Sequence, residues 1–195
     1  APESDDNPWH YKISWNPRNI VMAGHAGAAY KENGELVQKS YNQVFENCTE
    51  ITVDDLPALA WYPNRDSLGY IPLYGIEQAS TCIRTTLRYA DFCKGWDVVV
   101  DLDLTNEQDA ELVSKCSTYA EWFAAKLQLV EGRDLSLRMY LELYVKEADH
   151  DIILEQFSFL GVDSNEALPA NAKCSADVLQ RLAEQKLALQ PTEKD

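Results

Sequence analysis

The pattern of hydrophobic and polar residues changes near residue 90, from the two-residue period of strands to the 3.6-residue period of helices. Before that point, the chain has short strand-like runs at residues 10–15, 28–41, 51–53, 58–62 and 81–89. Turn residues separate these runs. Asn33-Gly34 between two alternating runs indicates a two-residue hairpin turn. A short helix is predicted over residues 17–23, because Asn16 can cap it and Pro17 suits its first position. The glycines of residues 23–29 then predict a chain reversal.

The second half of the chain carries a helical pattern. From Tyr89 to Val100, apolar residues recur three or four positions apart, which predicts an amphipathic helix. Thr118 and Glu121 have the spacing of a capping box, so another helix is predicted to begin there. Further helices are predicted over residues 134–145, 150–160 and 175–187. No strand signal follows Asp103.

These patterns predict an α+β fold. The strands and short helices of residues 1–103 are expected to form an α+β domain, and residues 104–195 a helical subdomain. A chain of 195 residues is long enough to bury a sizeable core in one large domain or two small ones.

The charge of the chain narrows the classes of partner. The net charge is −15, which argues against binding to a nucleic-acid backbone or an anionic membrane. No apolar run approaches the length of a membrane span. Five cysteines without a C-x-x-C pair exclude a zinc knuckle or thioredoxin-like motif, and they predict free thiols in a reducing cytosol. A cytoplasmic protein is therefore expected.

The chain lacks the common catalytic motifs. Residues 23–29 read AGHAGAA, which has glycines but neither dinucleotide nor P-loop spacing. The three histidines have no metal-site spacing, and no nucleophile elbow occurs. Metal binding is therefore not expected, and no catalytic residue can be named.

Three arginines, Arg65, Arg84 and Arg88, stand within residues 62–96 of this acidic chain. One interpretation is that each guanidinium pairs with a neighbouring carboxylate, namely Asp66, Glu77 or Asp91. The other is that some of them grip an anionic ligand, since the planar fork of arginine matches a carboxylate with two parallel hydrogen bonds. Composition alone favours the structural pairs.

Three blocks of the first half carry a family resemblance. They read APESDDNPWHYKISWNPRNI (residues 1–20), YPNRDSLGY (62–70) and TTLRY with the following DFCKGW (85–96). In this order, they resemble the glutamate-forming branch of the saccharopine dehydrogenase (reductase) family. The helical half agrees more loosely, through FLGVDSNEALP, DVLQRLAEQKLAL and the final QPTEKD.

The resemblance implies that the chain is a middle section of a longer enzyme. Family members begin with a Rossmann domain that binds NADP or NAD, and this section corresponds to the substrate-binding and dimer-forming part. The implied fold is a mixed sheet with helices packed on it, like the C-terminal domain of glyceraldehyde-3-phosphate dehydrogenase, plus an all-helical subdomain. The implied function is an NAD(P)-dependent oxidoreductase of lysine metabolism, and the fragment alone is expected to be inactive.

The resemblance also assigns substrate roles. The family interconverts saccharopine with glutamate and 2-aminoadipate semialdehyde, and saccharopine carries three carboxylates. Arg65 would clamp one carboxylate, and Arg88 with the backbone of Thr86 and Leu87 would hold another part of the substrate. Arg84 shares a strand face with Arg88 by the two-residue period, so it either lines the pocket or pairs with a carboxylate such as that of Glu77.

Cofactor contacts are implied at Trp15 and Asn16, where the nicotinamide half would meet the substrate. Fungal-type members have serine at the position of Asn16, which leaves that contact open. Trp15 could instead be a core aromatic, and Arg18 is expected to be a surface residue of the first helical turn.

Two rival functions remain open from the sequence. One is a polyamine-forming reductase of the same family, of the carboxynorspermidine or homospermidine type. The other is a non-catalytic amino-acid-binding module. An amine substrate would favour acidic pocket residues, so the arginines favour an acidic substrate. A homodimer through the first half is expected as well, since six large aromatics exceed what one modest sheet can bury: Trp9, Trp15, Trp61, Tyr62, Tyr70 and Tyr74.

Overall fold

The computed structural model describes residues 6–54 and 58–193. The chain divides into two compact units. The sheet unit is Ala23–Asp97, and the helical unit comprises the described residues up to Met22 and from Val98 onward. The limit between the units falls inside one helix, so it differs from the periodicity-based division at residue 103. The domain limits 1–103 and 104–195 remain a prediction.

The strands of the described residues all lie in the sheet unit. They are β1 (Ala28–Glu32), β2 (Glu35–Lys39), β3 (Thr49–Ile51), β4 (Leu59–Pro63), β5 (Arg65–Asp66) and β6 (Thr85–Tyr89). They form two three-stranded sheets, with the orders β2-β1-β5 and β3-β4-β6. The first sheet is mixed, because β1 runs parallel to β5, and the second is antiparallel. Residues 54–57, where the pattern predicts a turn between the strand-like runs 51–53 and 58–62, lie largely outside the described residues.

The predicted hairpin is confirmed. β1 and β2 pair antiparallel up to Glu32 and Glu35, which leaves Asn33 and Gly34 as the two-residue turn. Both turn residues have positive φ, of 50° and 89°, which is the geometry that matches the right-handed twist of the strands. The glycine-rich reversal is also present before β1. Gly27 has φ 67°, and a Cβ there would lie 2.5 Å from the carbonyl oxygen of Lys39.

Two predicted strands are shorter in the structure. Residues 10–15 make one isolated bridge, between Ile13 and Ala188, because the chain turns into a capped helix two residues later. The predicted strand 81–89 pairs with β4 only over Thr85–Tyr89. It begins there because the Arg84 amide donates to the side chain of Ser67 rather than to a ladder carbonyl.

Eight α-helices lie within the described residues. They are α1 (Pro17–Val21), α2 (Tyr70–Tyr74), α3 (Ala90–Asp101), α4 (Ala110–Ser114), α5 (Tyr119–Glu131), α6 (Leu137–Tyr144), α7 (His150–Leu160) and α8 (Ser175–Lys186). Side-chain caps begin three of them, α1, α5 and α6. The Thr118 hydroxyl caps α5 by accepting from the Glu121 amide, and Glu121 reaches back to the Ser117 amide. α6 begins three residues later than predicted, because Ser136 caps it.

The core of the helical unit forms around buried aromatic rings. Trp9 is fully buried, and its indole N–H donates to the Gln156 carbonyl at 2.9 Å. The Trp9 and Phe157 ring centroids lie 6.1 Å apart, and Phe123 continues the cluster 5.6 Å beyond. α1 and α8 also contact each other in this unit. The N-terminal segment is thereby part of the helical core rather than of a sheet.

The sheet unit has its own smaller core. Phe45 and Tyr62 are buried with ring centroids 4.5 Å apart, and Phe92 stacks on Trp96 at 5.2 Å. One unit contains the strands with a few helices, and the other is helical. This content confirms the predicted α+β class. Within the described residues, no helix is both long and apolar enough to cross a membrane.

Candidate functional site

The strongest candidate site is the turn at residues 64–67, which follows β4 and contains the two-residue strand β5, together with the start of β6. The Asn64 amide donates to the Arg84 carbonyl at 2.9 Å, and the Asn64 side chain donates to the Thr86 hydroxyl at 3.1 Å. These two bonds hold the turn against the strand that carries the other predicted arginines. Asn64 is therefore a functional candidate that the sequence analysis did not single out.

Arg65 occupies the turn with an unusual backbone. Its φ is 58°, a left-handed value that non-glycine residues adopt infrequently. Its side chain is exposed, and it makes no ion pair with any described residue. Asp66 does not pair with it, because that carboxylate accepts a bond from the Leu68 amide at 2.8 Å. The structural-pair interpretation therefore fails for Arg65 within the part of the chain that the structure describes.

Ser67 holds the turn in place through two hydrogen bonds. It is fully buried, its amide donates to the Ala29 carbonyl at 2.7 Å, and its hydroxyl accepts from the Arg84 amide at 2.9 Å. One buried serine thus connects β1, the Arg65 turn and the residue before β6. A serine in a turn is a weak sequence signal, because serine is common in turns for local reasons.

Arg84 also lacks a carboxylate partner among the described residues. Its guanidinium carbon lies 4.6 Å from the centroid of the Tyr70 ring, a cation–π arrangement. One guanidinium nitrogen lies 3.5 Å from the Asp66 carbonyl oxygen. The possible pair with Glu77 is not formed. The ring and the carbonyl orient the side chain of Arg84 toward the turn that carries Arg65.

Burial alternates along β6. Thr86 and Arg88 are half-buried, whereas Thr85 and Leu87 between them are exposed, Leu87 by 47%. Arg88 donates to the Leu87 carbonyl at 2.9 Å, and its guanidinium carbon lies 5.8 Å from the Phe92 ring centroid. The side chain of Leu87 therefore lies on the opposite face of β6 from Thr86 and Arg88, and only its backbone can share their site.

Trp15 and Asn16 belong to the helical unit. Trp15 is 55% exposed, so the interpretation of Trp15 as a core aromatic is wrong. Asn16 caps α1, with its side-chain oxygen 3.0 Å from the Arg18 amide nitrogen. Arg18 lies in the first turn of α1 and is half-buried, so it is at the surface but not free of partners. It forms ion pairs with Glu107 at 2.5 Å and Asp177 at 3.0 Å.

A separate polar cleft of about 720 Å³ runs along α8 in the helical unit. Tyr119, Glu166, Asp177 and Arg181 are among its lining residues, and none of the predicted site residues is. Burial first, then the charge of Glu166, raises the pKa of Tyr119, although Arg181 acts in the opposite direction. Within the described residues, no group of three metal-ligating side chains occurs.

Comparison with known proteins identifies the family. The profile of the family described as "Saccharopine dehydrogenase C-terminal domain" matches residues 1–195, the whole chain. The rat protein "Alpha-aminoadipic semialdehyde synthase, mitochondrial" is 33% identical over 199 residues, which cover 100% of this chain and 21% of that protein. "Saccharopine dehydrogenase [NADP(+), L-glutamate-forming]" of Schizosaccharomyces pombe is 30% identical over 171 residues, 85% of this chain and 38% of that protein.

A solved structure agrees with the sequence relatives. The apo, histidine-tagged saccharopine dehydrogenase (L-Glu forming) from Saccharomyces cerevisiae superposes with a TM-score of 0.77 at 27% identity. The match covers 97% of this chain and 43% of that one. The chain therefore spans less than half the length of the relatives it matches.

Proposed function

The chain belongs to the saccharopine dehydrogenase C-terminal domain family, and from this premise we propose that it is the substrate-binding portion of a saccharopine dehydrogenase (reductase). The proposed reaction interconverts saccharopine with glutamate and 2-aminoadipate semialdehyde. The observation that carries the proposal is the Arg65 turn. It presents an exposed guanidinium that has no carboxylate partner among the described residues, in a chain of net charge −15.

Arg65 is proposed to bind one substrate carboxylate through two parallel hydrogen bonds. Asn64 and Ser67 hold the backbone on both sides of it, so the guanidinium projects from a rigid turn. Arg84, oriented by Tyr70, is proposed to add a second cation beside it. A cationic cluster of this kind fits a substrate with several carboxylates better than the amine substrate of a polyamine-forming reductase.

Arg88 and the backbone of Thr86 and Leu87 are proposed to hold another part of the substrate. The Arg88 guanidinium donates to the carbonyl of Leu87, so its position is coupled to the backbone that would contact the ligand. Thr86 receives the Asn64 bond, which couples this end of β6 to the Arg65 turn. The substrate would therefore be positioned by one connected set of hydrogen bonds.

Trp15 and Asn16 are proposed to contact the nicotinamide end of NADP or NAD, the group that supplies the hydride. Their exposure fits such a role, since Trp15 offers an accessible ring and the Asn16 amide nitrogen is not used in the α1 cap. NADP is the proposed cofactor, because the fungal relatives are described as NADP(+) enzymes. No residue of the described chain is proposed as the general acid or base.

A homodimer and a cytoplasmic location complete the proposal. Of the aromatics expected at an interface, Trp9 and Tyr62 are buried, but Tyr74 is 66% exposed. The sheet unit also exposes Leu36, Leu73 and Leu87 by 73%, 70% and 47%. Exposed apolar residues of this kind support a protein interface.

All five cysteines are free thiols, which fits a reducing compartment.

The substrate proposal is tested with Arg65→Ala in an enzyme that contains this chain. Loss of one charge-assisted bidentate pair costs about 2–5 kcal/mol, so kcat/KM for saccharopine should fall about 30-fold or more. The main expected change is a higher KM. Arg65→Lys should recover only part of the loss, because an ammonium cannot form the fork.

Arg138→Ala is the matched control. Arg138 lies on α6, is exposed, and makes no ion pair with any described residue, so its removal should leave kcat/KM unchanged. An unchanged kcat/KM in Arg65→Ala would remove Arg65 from the substrate site. A loss of equal size in Arg138→Ala would mean that general charge, rather than the site, is responsible.

The dimer proposal is tested by light scattering of the purified chain at micromolar concentration. A mass near twice 22.1 kDa is expected, and Leu73→Lys combined with Tyr74→Lys should reduce it to the monomer. A mass of 22.1 kDa throughout the concentration range would contradict the dimer.

A further inference from the structure

The polar cleft along α8 lies wholly within the helical unit, and hydrogen bonds hold its walls in place. One wall is the segment 164–168, which is bonded to the start of α5, since the Tyr119 amide donates to the Glu166 carbonyl at 3.2 Å. The other wall is α8, whose first residue, Ser175, donates its amide to the Asp109 carboxylate at 2.8 Å. The cleft is therefore preformed, as small-molecule sites usually are.

One face of α8 lines the cleft. Residues three or four positions apart share this face, namely Asp177, Gln180, Arg181 and Glu184. Asp177 already pairs with Arg18 at 3.0 Å, and Gln180 donates to Glu184 at 2.8 Å. Arg181 is less engaged, because its ion pair with Glu184 is long, at 3.8 Å, and its side chain is 53% exposed. Its guanidinium can therefore bind a carboxylate that a ligand brings.

Tyr119 supplies a buried polar group without a described partner. The residue is 3% exposed and lines the cleft. Its hydroxyl makes no hydrogen bond with any described residue and is not fully enclosed, so it opens into the cleft. Such a hydroxyl has lost bonds that it would make in water, and a ligand atom can restore them. Burial raises the pKa of Tyr119, so the hydroxyl keeps its proton at neutral pH and can donate to a carboxylate.

The cleft also offers a carboxylate and two amides. The Glu166 side chain forms no hydrogen bond or ion pair with any described residue. Asn171 and Gln185 line the same cleft, and neither side chain is engaged within the part of the chain that the structure describes. These groups match a molecule that carries an ammonium and an uncharged polar group as well as a carboxylate.

The charges that line the cleft balance. Arg18 neutralises Asp177. The remaining charged residues of the lining are two cations and two carboxylates, namely Lys173, Arg181, Glu166 and Glu184. A lining without net charge favours a zwitterion over a simple anion or a simple amine, because each charge of the ligand then meets an opposite charge.

We propose that this cleft binds a free α-amino acid with an uncharged polar side chain. The carboxylate of the ligand accepts hydrogen bonds from the Arg181 guanidinium and the Tyr119 hydroxyl. The ammonium donates to Glu166, and the side chain bonds to Asn171 or Gln185. None of the predicted substrate residues lines the cleft, so the inference does not depend on the proposed function.

Isothermal titration calorimetry of the purified chain with L-glutamine tests the proposal. Saturable binding is expected, with a Kd of about 1 mM or below, which is within reach of a ligand of this size. Two analogues test the need for both charges, since glutaramate lacks the ammonium and 4-aminobutanamide lacks the carboxylate. Each should bind at least about tenfold more weakly than L-glutamine. Equal binding of glutaramate would make the cleft a simple anion site and overturn the proposal, as would the absence of saturable L-glutamine binding.

Three variants test whether the ligand lies in the cleft. Tyr119→Phe removes only the hydroxyl and keeps the ring in the core, so the Kd should rise about tenfold. Arg181→Gln should raise the Kd about 30-fold or more, because a charge-assisted pair is lost. Arg138→Gln is the matched control, since Arg138 is an exposed helical arginine that does not line the cleft, and it should bind L-glutamine as the wild type does. Circular dichroism checks that each variant is folded, and an unchanged Kd in both Tyr119→Phe and Arg181→Gln would overturn the proposal.

Arg65→Ala separates this cleft from the proposed substrate site. The variant should bind L-glutamine as the wild type does, because Arg65 does not line the cleft. Loss of binding in Arg65→Ala, with binding retained in Arg181→Gln, would assign the ligand to the proposed substrate site and overturn the inference. The titration and the saccharopine assay therefore fail independently of each other.

Discussion

Two cations of the helical unit, Lys126 and Arg18, differ in their partners from two cations of the sheet unit, Arg65 and Arg84. In the helical unit, Lys126 is 1% exposed and lies 3.0 Å from Asp103 and 2.8 Å from Asp109. Arg18 likewise contacts two carboxylates of that unit. In the sheet unit, Arg65 and Arg84 contact none among the described residues, although the chain has 32 acidic residues. Their positions are set by backbone bonds and by a ring.

The difference separates cations that hold the fold from cations that are available to a ligand. Lys126 and Arg18 join segments far apart in the sequence, so removing either leaves carboxylates without compensation. The guanidinium of Arg65 forms no ion pair with a described carboxylate, so its removal should affect binding rather than folding. The following predictions test this contrast, from the largest expected effect to the smallest.

Lys126→Met should destabilise the chain by about 3–5 kcal/mol, because removing one partner of a buried pair leaves an uncompensated charge. Asp109 is the carboxylate concerned, since its side chain is 13% exposed. Urea unfolding followed by circular dichroism measures the change. Lys115→Met is the control, because its pair with Glu111 is exposed on both sides and its loss should not be measurable. Equal stability of the Lys126→Met variant and the wild type would contradict the structural role.

Arg18→Met should destabilise the chain by about 1–2 kcal/mol, since its hydrogen bonds are to charged groups that are partly open to solvent. Burial opposes its charge, but pairing with Glu107 outweighs it and raises the pKa of Arg18. Arg65→Met is the comparison variant and should leave the free energy of unfolding unchanged. If both variants lose the same stability, the two units do not differ in the way described.

Acid should weaken the helical unit through Asp109. Burial alone would raise the pKa of that carboxyl, but bonds from Lys126 and Ser175 outweigh it and lower the pKa below the ordinary 3.8. A carboxyl with a lowered folded-state pKa stabilises the protein above the unfolded value and loses that contribution as the pH falls through the folded value. Unfolding free energies measured from pH 6 down to pH 3 should therefore fall less steeply in Asp109→Asn than in the wild type. Parallel curves would show that Asp109 does not contribute.

Tyr70→Leu should have the smallest effect, about 0.5–1 kcal/mol, because it removes a cation–π contact at a partly exposed site. Tyr70→Phe keeps the ring and should retain most of that stability. A double-mutant cycle with Arg84→Met isolates the pair, and a coupling energy of zero would mean that the ring does not orient Arg84.

Local features of the fold could be predicted because they depend on neighbouring residues. Asn33-Gly34 specifies a tight hairpin by its backbone preferences. The side chains of Asn16 and Thr118 accept hydrogen bonds from backbone amides that would otherwise be unsatisfied in the first turn of their helices. Strand lengths could not be predicted in the same way. Residues 10–15 alternate like a strand, yet only Ile13 finds a bridging partner, because partners lie far along the chain and alternation does not identify them.

In the candidate site as well, only part of the arrangement could be predicted from the sequence. The resemblance of the 62–96 segment directed attention to Arg65, Arg84 and Arg88, and the two-residue period placed Arg84 and Arg88 on one face. Neither the resemblance nor the period could identify Asn64 and Ser67 as the residues that hold the turn by hydrogen bonds. Both are common turn residues, and their role arises from bonds to Thr86, Ala29 and Arg84.

The sequence by itself determined the class of fold, the types of its elements and the family, since periodicity, capping and contiguous motifs are properties of short segments. Only the tertiary structure decided which cations are neutralised. Arg18 finds its partners 89 and 159 positions away, and Lys126 finds one 23 positions away. Arg65 pairs with no carboxylate of the described residues, although Asp66 is its neighbour in the sequence. Coulomb attraction depends on distance in space, and folding rather than sequence proximity brings those charges together.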